Sequence, residues 1–249
     1  MIRVAVDNDL GKWRKAARAL LAADVPPGEV VWSDSEQGGL FGNPVEGANA
    51  GEFRVPREFL ELADAVACFD AMEKWATLYR LLFRLRHEGR HLLMIESDAD
   101  VRDARLMAKA VQRDVHKFHA FVRFRLIEVE GEEAYVAWHE PQHFTVERAA
   151  PFFARRFGTM RFSILTPKGC AHWDRESLTF SPPADRRSMP DGDPAEEFWL
   201  IYYRSIFNPF RLKVKAMKKE LPRRHWPTLP EAVLIPELIR GAGDLQNGD

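Results

Sequence analysis

Between Phe59 and Phe118 the apolar residues recur three and four positions apart, and from Val122 onward they begin to alternate. This change of period constrains the fold more than any other feature. Side chains three or four apart share a helix face, whereas side chains two apart share a strand face. Phe59, Leu62, Ala63 and Val66, followed by Trp75, Leu78, Leu82 and Leu85, predict two amphipathic helices over residues 57–69 and 72–87 that pair as a hairpin. A third helix starts at Asp98 or Asp100 as cap and runs through Leu106, Val111 and Val115 toward Phe118. Beyond it, Val122, Phe124, Leu126 and Ile127 and then residues 135–138 read as an antiparallel hairpin that turns at 130–133. A short helix over 145–157 and strands at 161–166, 171–174 and 178–181 complete the middle of the chain. The expected class is α+β, a central antiparallel sheet with helices packed on one face.

Residues 2–6 alternate, Leu10, Trp13, Ala17, Leu20 and Leu21 follow a helical period, and residues 29–32 after Pro26-Pro27 read as a second strand. This is a small βαβ-like segment. No GxGxxG or GxxxxGK[ST] stands at its turn, where the one glycine is Gly11, so a Rossmann or P-loop site is excluded. The expected organisation is one domain over 1–249, with sub-regions at 1–55, 56–181 and 195–239. A glycine-rich loop or lid covers 33–53, and a polar, proline-rich linker covers 182–194. The last sub-region is read as helices at 195–207 and 208–219.

Charge is segregated along the chain. Residues 199–226, WLIYYRSIFNPFRLKVKAMKKELPRRHW, carry Arg204, Arg211, Lys213, Lys215, Lys218, Lys219, Arg223 and Arg224 against one acid, Glu220, although the whole chain has a net charge of -1. Cations for phosphates and rings for bases, Trp226 among them, suit a polyanion. A helix with an apolar core stripe and solvated lysines accounts for the pattern equally well. The near-neutral total argues against a general nucleic-acid coat and localises any contact. Two cysteines, Cys68 and Cys170, with no CxxC spacing, exclude a self-ligated cluster and fit a reducing, cytoplasmic setting. No apolar run is long enough to span a bilayer, and residues 1–13 lack the pattern of an export signal.

His139 to His143 spell HExxH, the zinc motif of metalloproteases, but a strand-like run leads into them and Pro141 opposes a continuous helix. No metal is expected there. His116 and His119 stand three apart near the end of the third helix, where packing or acid-base chemistry are both open. In CAHWD, alternation places Cys170, His172 and Asp174 on one strand face, so His172 with Asp174 form a candidate base and orienter with no serine or cysteine nucleophile identifiable as partner, while a Cys170–His172 pair is permitted by the shared face but not shown to be close.

The chain resembles a bacterial family of DNA-repair or DNA-metabolism proteins of unknown biochemical activity. The resemblance is carried by WRKAARALL (13–21), LYRLLFRLR (78–86), KAVQRDVHKFHAFVRFR (109–125), AWHEPQH (137–143), PFFARRF (151–157), SILTP (163–167), AHWD (171–174), YYRSIFNPFRLKVKAM (202–217) and LPEAVLIPELI (229–239). It implies a DNA context, a radical-SAM protein encoded alongside as partner, and kinship to a domain fused elsewhere to uracil-DNA-glycosylase-like domains. It implies no catalytic residues. The chain departs from the family pattern at Phe69, Phe210 and His225. The expectation is therefore an accessory protein of DNA repair or modification, without prosthetic group or membrane contact, that binds DNA, the radical-SAM partner or both. Its nucleic-acid contacts would be Arg204, Arg211, Lys213, Lys215, Lys218, Arg223, Arg224 and Trp226. Two alternatives remain open, a nucleic-acid-processing enzyme using His116, His119, His172 and Asp174, and a subunit that only binds protein.

Overall fold

The computed structural model describes residues 1–33, 54–129, 132–188, 221, 223–236 and 239. The chain divides into two compact units, Met1–Asp114 and Val115–Asp249.

In the first unit, β1 (Ile2–Ala5) and β2 (Val30–Ser33) pair in parallel, Ile2 opposite Val30. Parallel pairing requires a crossover, and α1 (Leu10–Ala22) supplies it, capped by the Asp9 carboxylate accepting the Lys12 amide. The predicted hairpin is α2 (Arg57–Ala67) and α3 (Glu73–Glu88). Four aromatic rings hold these pieces together. Trp13 lies 5.9 Å from Trp75 and 6.1 Å from Trp32, and Trp32 meets Tyr79 edge-on at 5.6 Å. Tyr79 donates its hydroxyl to the Val25 carbonyl at 2.8 Å, and burial pushes that hydroxyl's pKa well up. Burying each such ring contributes about 1.5–3 kcal/mol. Lys74 is buried with them; its ammonium binds Asn8 Oδ1 and the carbonyls of Ala67 and Phe69, tying the α2–α3 turn to the β1–α1 turn.

Helix α4 (Ala99–Phe121) settles the cap in favour of Asp98, whose Oδ1 accepts the amides of Asp100 and Val101 at 3.0 and 3.2 Å. Arg84 on α3 reaches Asp98 at 2.7 Å and Asp100 at 2.9 Å, so one guanidinium anchors the start of α4 and holds the Asp98 carboxyl below its usual range.

The second unit is built on a five-stranded sheet in the order β3-β4-β5-β6-β7. The strands are Arg125–Val129, Glu132–Trp138, Phe162–Leu165, Cys170–Trp173 and Leu178–Ser181. The class is as expected, with one difference: β4 and β5 run parallel while the other three pairings are antiparallel. The reason is α5 (Val146–Arg156), which carries the chain from the end of β4 back to the start of β5. On the helix-covered face Ala137, Ile164 and Ala171 stand in register, and they pack with Phe118, Val122, Ala149, Ala150 and Phe153. The opposite face carries the row Arg125, Val136, Ser163, His172 and Thr179. Two 3-10 turns, Arg223–Thr228 and Pro230–Leu234, close the described chain, with Leu229, Ala232 and Ile235 packed against Phe121 and Trp226. Among the described residues no helix is long and apolar enough to cross a membrane. The helices expected at 195–207 and 208–219 lie outside the described residues.

Candidate nucleic-acid interface

Two helices of the second unit meet around an exposed ring. On α5 the residues spaced for one face, Val146, Ala149, Ala150 and Phe153, are buried. Arg148, Phe152, Arg155 and Arg156 fall on another face by the same spacing and are exposed, whereas the one acid of the helix, Glu147, projects elsewhere. Phe152 is 36% exposed, and His119 from the last turn of α4 stacks on it with ring centroids 4.2 Å apart and planes 25° from parallel.

His119 is fixed from several sides. Its Nε2–H donates to the Ala149 carbonyl at 3.2 Å, and its edge meets Phe153 at 5.7 Å. Burial, with lesser contributions from His116 and Arg155, lowers its pKa, so the ring is neutral at pH 7. His116 lies one turn earlier and is exposed. Arg156 extends over Phe157, 5.5 Å from its centroid, and neither Arg155 nor Arg156 forms an ion pair among the described residues. The result is a flat apolar surface, backed by a second ring and bordered by guanidinium groups. Such a surface can stack a base while cations take its phosphates.

In the first unit, α4 presents Arg102, Arg105, Lys109 and Arg113 to solvent at helical spacing, with no exposed acid on that stripe. Arg105 is partly engaged by Glu96 and the Leu93 carbonyl, whereas Lys109 and Arg113 form no ion pair among the described residues.

The other sequence candidates have distinct placements. His172 on β6 is bound through Nδ1 to Ser163 Oγ and through Nε2 to Ser181 Oγ, both at 2.8 Å. Asp174 lies beyond the strand and turns its oxygens to the amides of Glu176 and Ser177 and the Ser177 hydroxyl, bonds that hold its carboxyl at about 2. Cys170 directs its thiol to the Thr166 carbonyl, 3.9 Å away. The His172–Asp174 and Cys170–His172 pairings considered from alternation are thus replaced by two cross-strand serine contacts.

The stretch from His139 to His143 is not helical, since β4 ends at Trp138 and α5 begins at Val146. His139 is buried with its ring 5.4 Å from that of His225, planes 1° apart; Phe118 contacts the His139 ring at 4.4 Å and Phe121 the His225 ring at 5.1 Å, both tilted. Of the C-terminal candidates, Arg204, Arg211, Lys213, Lys215 and Lys218 lie outside the described residues, as does the Arg224 side chain. Trp226 is half-buried, its indole N–H donates to the Leu221 carbonyl at 3.2 Å, and Arg223 lies over its ring at 5.7 Å.

Sequence reasoning did not single out Phe152, Arg148, Arg155, Arg156, Ser163 or Ser181. For the first four, the i, i+4, i+7 and i+8 spacing on a short helix was an available signal.

The long helix α4 and the five-stranded mixed sheet both fall within the residues that the DUF4130 family model matches. The protein belongs to this family, a domain of unknown function, which matches residues 72–231 and so spans α3 through the C-terminal turns. No curated protein and no solved structure matches the chain.

Proposed function

We propose that the protein is an accessory factor of DNA repair or modification that binds nucleic acid and works with a radical-SAM enzyme. The observation that carries the nucleic-acid part is the face of α5 on which Arg148, Arg155 and Arg156 border an exposed Phe152 backed by His119. The cationic stripe of α4 and the basic composition of residues 199–226 support it. The DNA context and the radical-SAM partner rest on the family resemblance.

The test is binding of a labelled oligothymidine to the full chain across a salt series. Each phosphate neutralised on a single strand contributes about -0.7 to the slope of log K against log salt. Replacing Arg148, Arg155 and Arg156 together with glutamine should weaken binding to every sequence and make the slope shallower by about 2. Wild-type affinity and slope in that variant, with its circular dichroism unchanged, would refute the assignment of this face. The partner is tested separately by co-expression and size-exclusion chromatography, where separate elution at micromolar concentration, with and without DNA, would refute the complex.

A further inference from the structure

Ser163, His172 and Ser181 stand on three adjacent strands. Ser163 is directly opposite His172 across β5 and β6, and Ser181 lies one strand further on, two residues from Thr179, the β7 partner of His172. All three side chains issue from the sheet face opposite the helix-covered one, because they alternate with Ile164, Ala171 and Phe180. Both imidazole nitrogens are therefore committed to hydroxyl oxygens, at 2.8 Å on either side. Ser181 is exposed, whereas Ser163 is half-buried under its neighbours. In the tautomer with Nδ1–H, His172 donates to Ser163 and leaves the Nε2 lone pair to accept from the Ser181 hydroxyl. That is the arrangement of a serine nucleophile, its base, and a group that orients the base.

The structure assigns Ser181, His172 and Ser163 as a nucleophile, general base and positioning residue for attack on an acyl ester. Ser181 Oγ bonds to the ester carbonyl carbon while its proton passes to His172 Nε2. The carbon–oxygen bond to the leaving alcohol breaks, and that alcohol takes the proton. Water then attacks the acyl-serine with His172 again as base, releasing the carboxylic acid and restoring the Ser181 hydroxyl. Burial lowers the His172 pKa, so the ring is unprotonated at neutral pH and able to accept. This site is independent of the α5 surface, and loss of DNA binding would leave it untouched.

The full chain is treated with a fluorophosphonate, which serine attacks with formation of an oxygen–phosphorus bond and loss of fluoride. Peptide mass spectrometry should place one adduct on Ser181, absent in Ser181→Ala and in protein unfolded by urea. His172→Gln should slow labelling by about 100-fold or more, as expected for removal of a general base. The wild-type labelling rate should rise with pH through an ionisation lying below the ordinary imidazole range, in the direction that burial shifts His172. Ser163→Ala should slow labelling and shift that pH profile, and Ser163→Thr should restore both. Absence of a Ser181 adduct, or equal labelling in folded His172→Gln or in urea, overturns the assignment. An unchanged rate and profile in Ser163→Ala overturns the positioning role.

Discussion

Replacing Phe152 separates a stacking surface from a merely structural ring. His119 stacks on the Phe152 ring at 4.2 Å, Phe153 meets it edge-on at 5.2 Å, and the residue is 36% exposed, so the proposed stacking of a base would use that exposed part. Stacking of a base on an aromatic ring contributes about 1–3 kcal/mol. At about 1.4 kcal/mol per tenfold, Phe152→Ala should weaken binding of an oligothymidine by about 5- to 150-fold, with the salt slope unchanged because no cation is removed. Phe152→Leu preserves apolar cover over His119 and should lose nearly as much binding, while Phe152→Trp should retain it. Stability must be followed in parallel by urea unfolding. A ring already one-third exposed should cost less on truncation than the roughly 3–5 kcal/mol of a fully buried phenylalanine. Fluorescence anisotropy on single-stranded and duplex DNA of the same length gives the decisive comparison, since paired bases cannot stack on Phe152 and duplex affinity should stay within about twofold, well under 1 kcal/mol. Wild-type single-strand affinity in both Phe152→Ala and Phe152→Leu would refute the reasoning.

Phe153, buried and in ring contact with Phe118, His119, Phe124 and Phe157, should cost about 3–5 kcal/mol when truncated to alanine, read as a lower urea midpoint; a loss under about 1 kcal/mol would mean that the α5 seam is not a tightly packed core. Asp98→Ala removes both the α4 cap and a partner of Arg84, and should cost about 0.5–2 kcal/mol or more at pH 7. Because Arg84 depresses the Asp98 pKa in the folded state, that stabilisation is complete above the ordinary carboxylate range and is lost as pH falls through the folded value. The difference between wild type and Asp98→Ala should accordingly shrink below about pH 4, and a difference constant down to pH 2 would exclude the ion pair. Chelator-free protein should hold no stoichiometric zinc through His139 and His143, because the intervening segment is not helical; elemental analysis finding one zinc per chain, lost in His143→Ala, would refute this.

Elements defined by local pattern could be read directly. The change of period after Phe118 located the passage from α4 to β3, and the spacing of Phe59, Val66, Leu78 and Leu85 located α2 and α3. Strand direction was less accessible. Antiparallel pairing is the usual expectation for short alternating strands, and only the length of α5 between β4 and β5 signals a crossover. Choosing Asp98 over Asp100 as cap depended on which carboxylate turns back to the first helical amides, and Asp98 does, a choice that local preference does not reveal when both are acidic. His225 was visible only as a departure from an aromatic position. In the fold its ring stacks on His139 and lies tilted against Phe121, so the departure changes the chemistry of the position while keeping its flat shape.

The site was harder to read because its members meet through register. His172 was selected because alternation placed it on the same side as Cys170 and Asp174, and that inference stayed within one strand. Cross-strand neighbours lie closer than residues two apart along a strand. Once β5, β6 and β7 pair, Ser163 stands directly opposite His172 and Ser181 lies diagonally across from it, opposite Cys170, and both hydroxyls reach the imidazole at 2.8 Å. Asp174 is drawn instead into the turn that joins β6 to β7, where binding two amides and a hydroxyl is the ordinary use of an aspartate. The same reasoning explains α5: PFFARRF could be noticed as a phrase, but which of its two phenylalanines enters the core depends on which helix face meets the sheet. Phe153 does, leaving Phe152 outward beside Arg148, Arg155 and Arg156. A helix with its apolar face satisfied by Val146, Ala149, Ala150 and Phe153 still uses Phe152 as a packing partner for His119 at 4.2 Å, and it is the exposed third of that residue, beside the arginines, that the proposed base stacking would occupy.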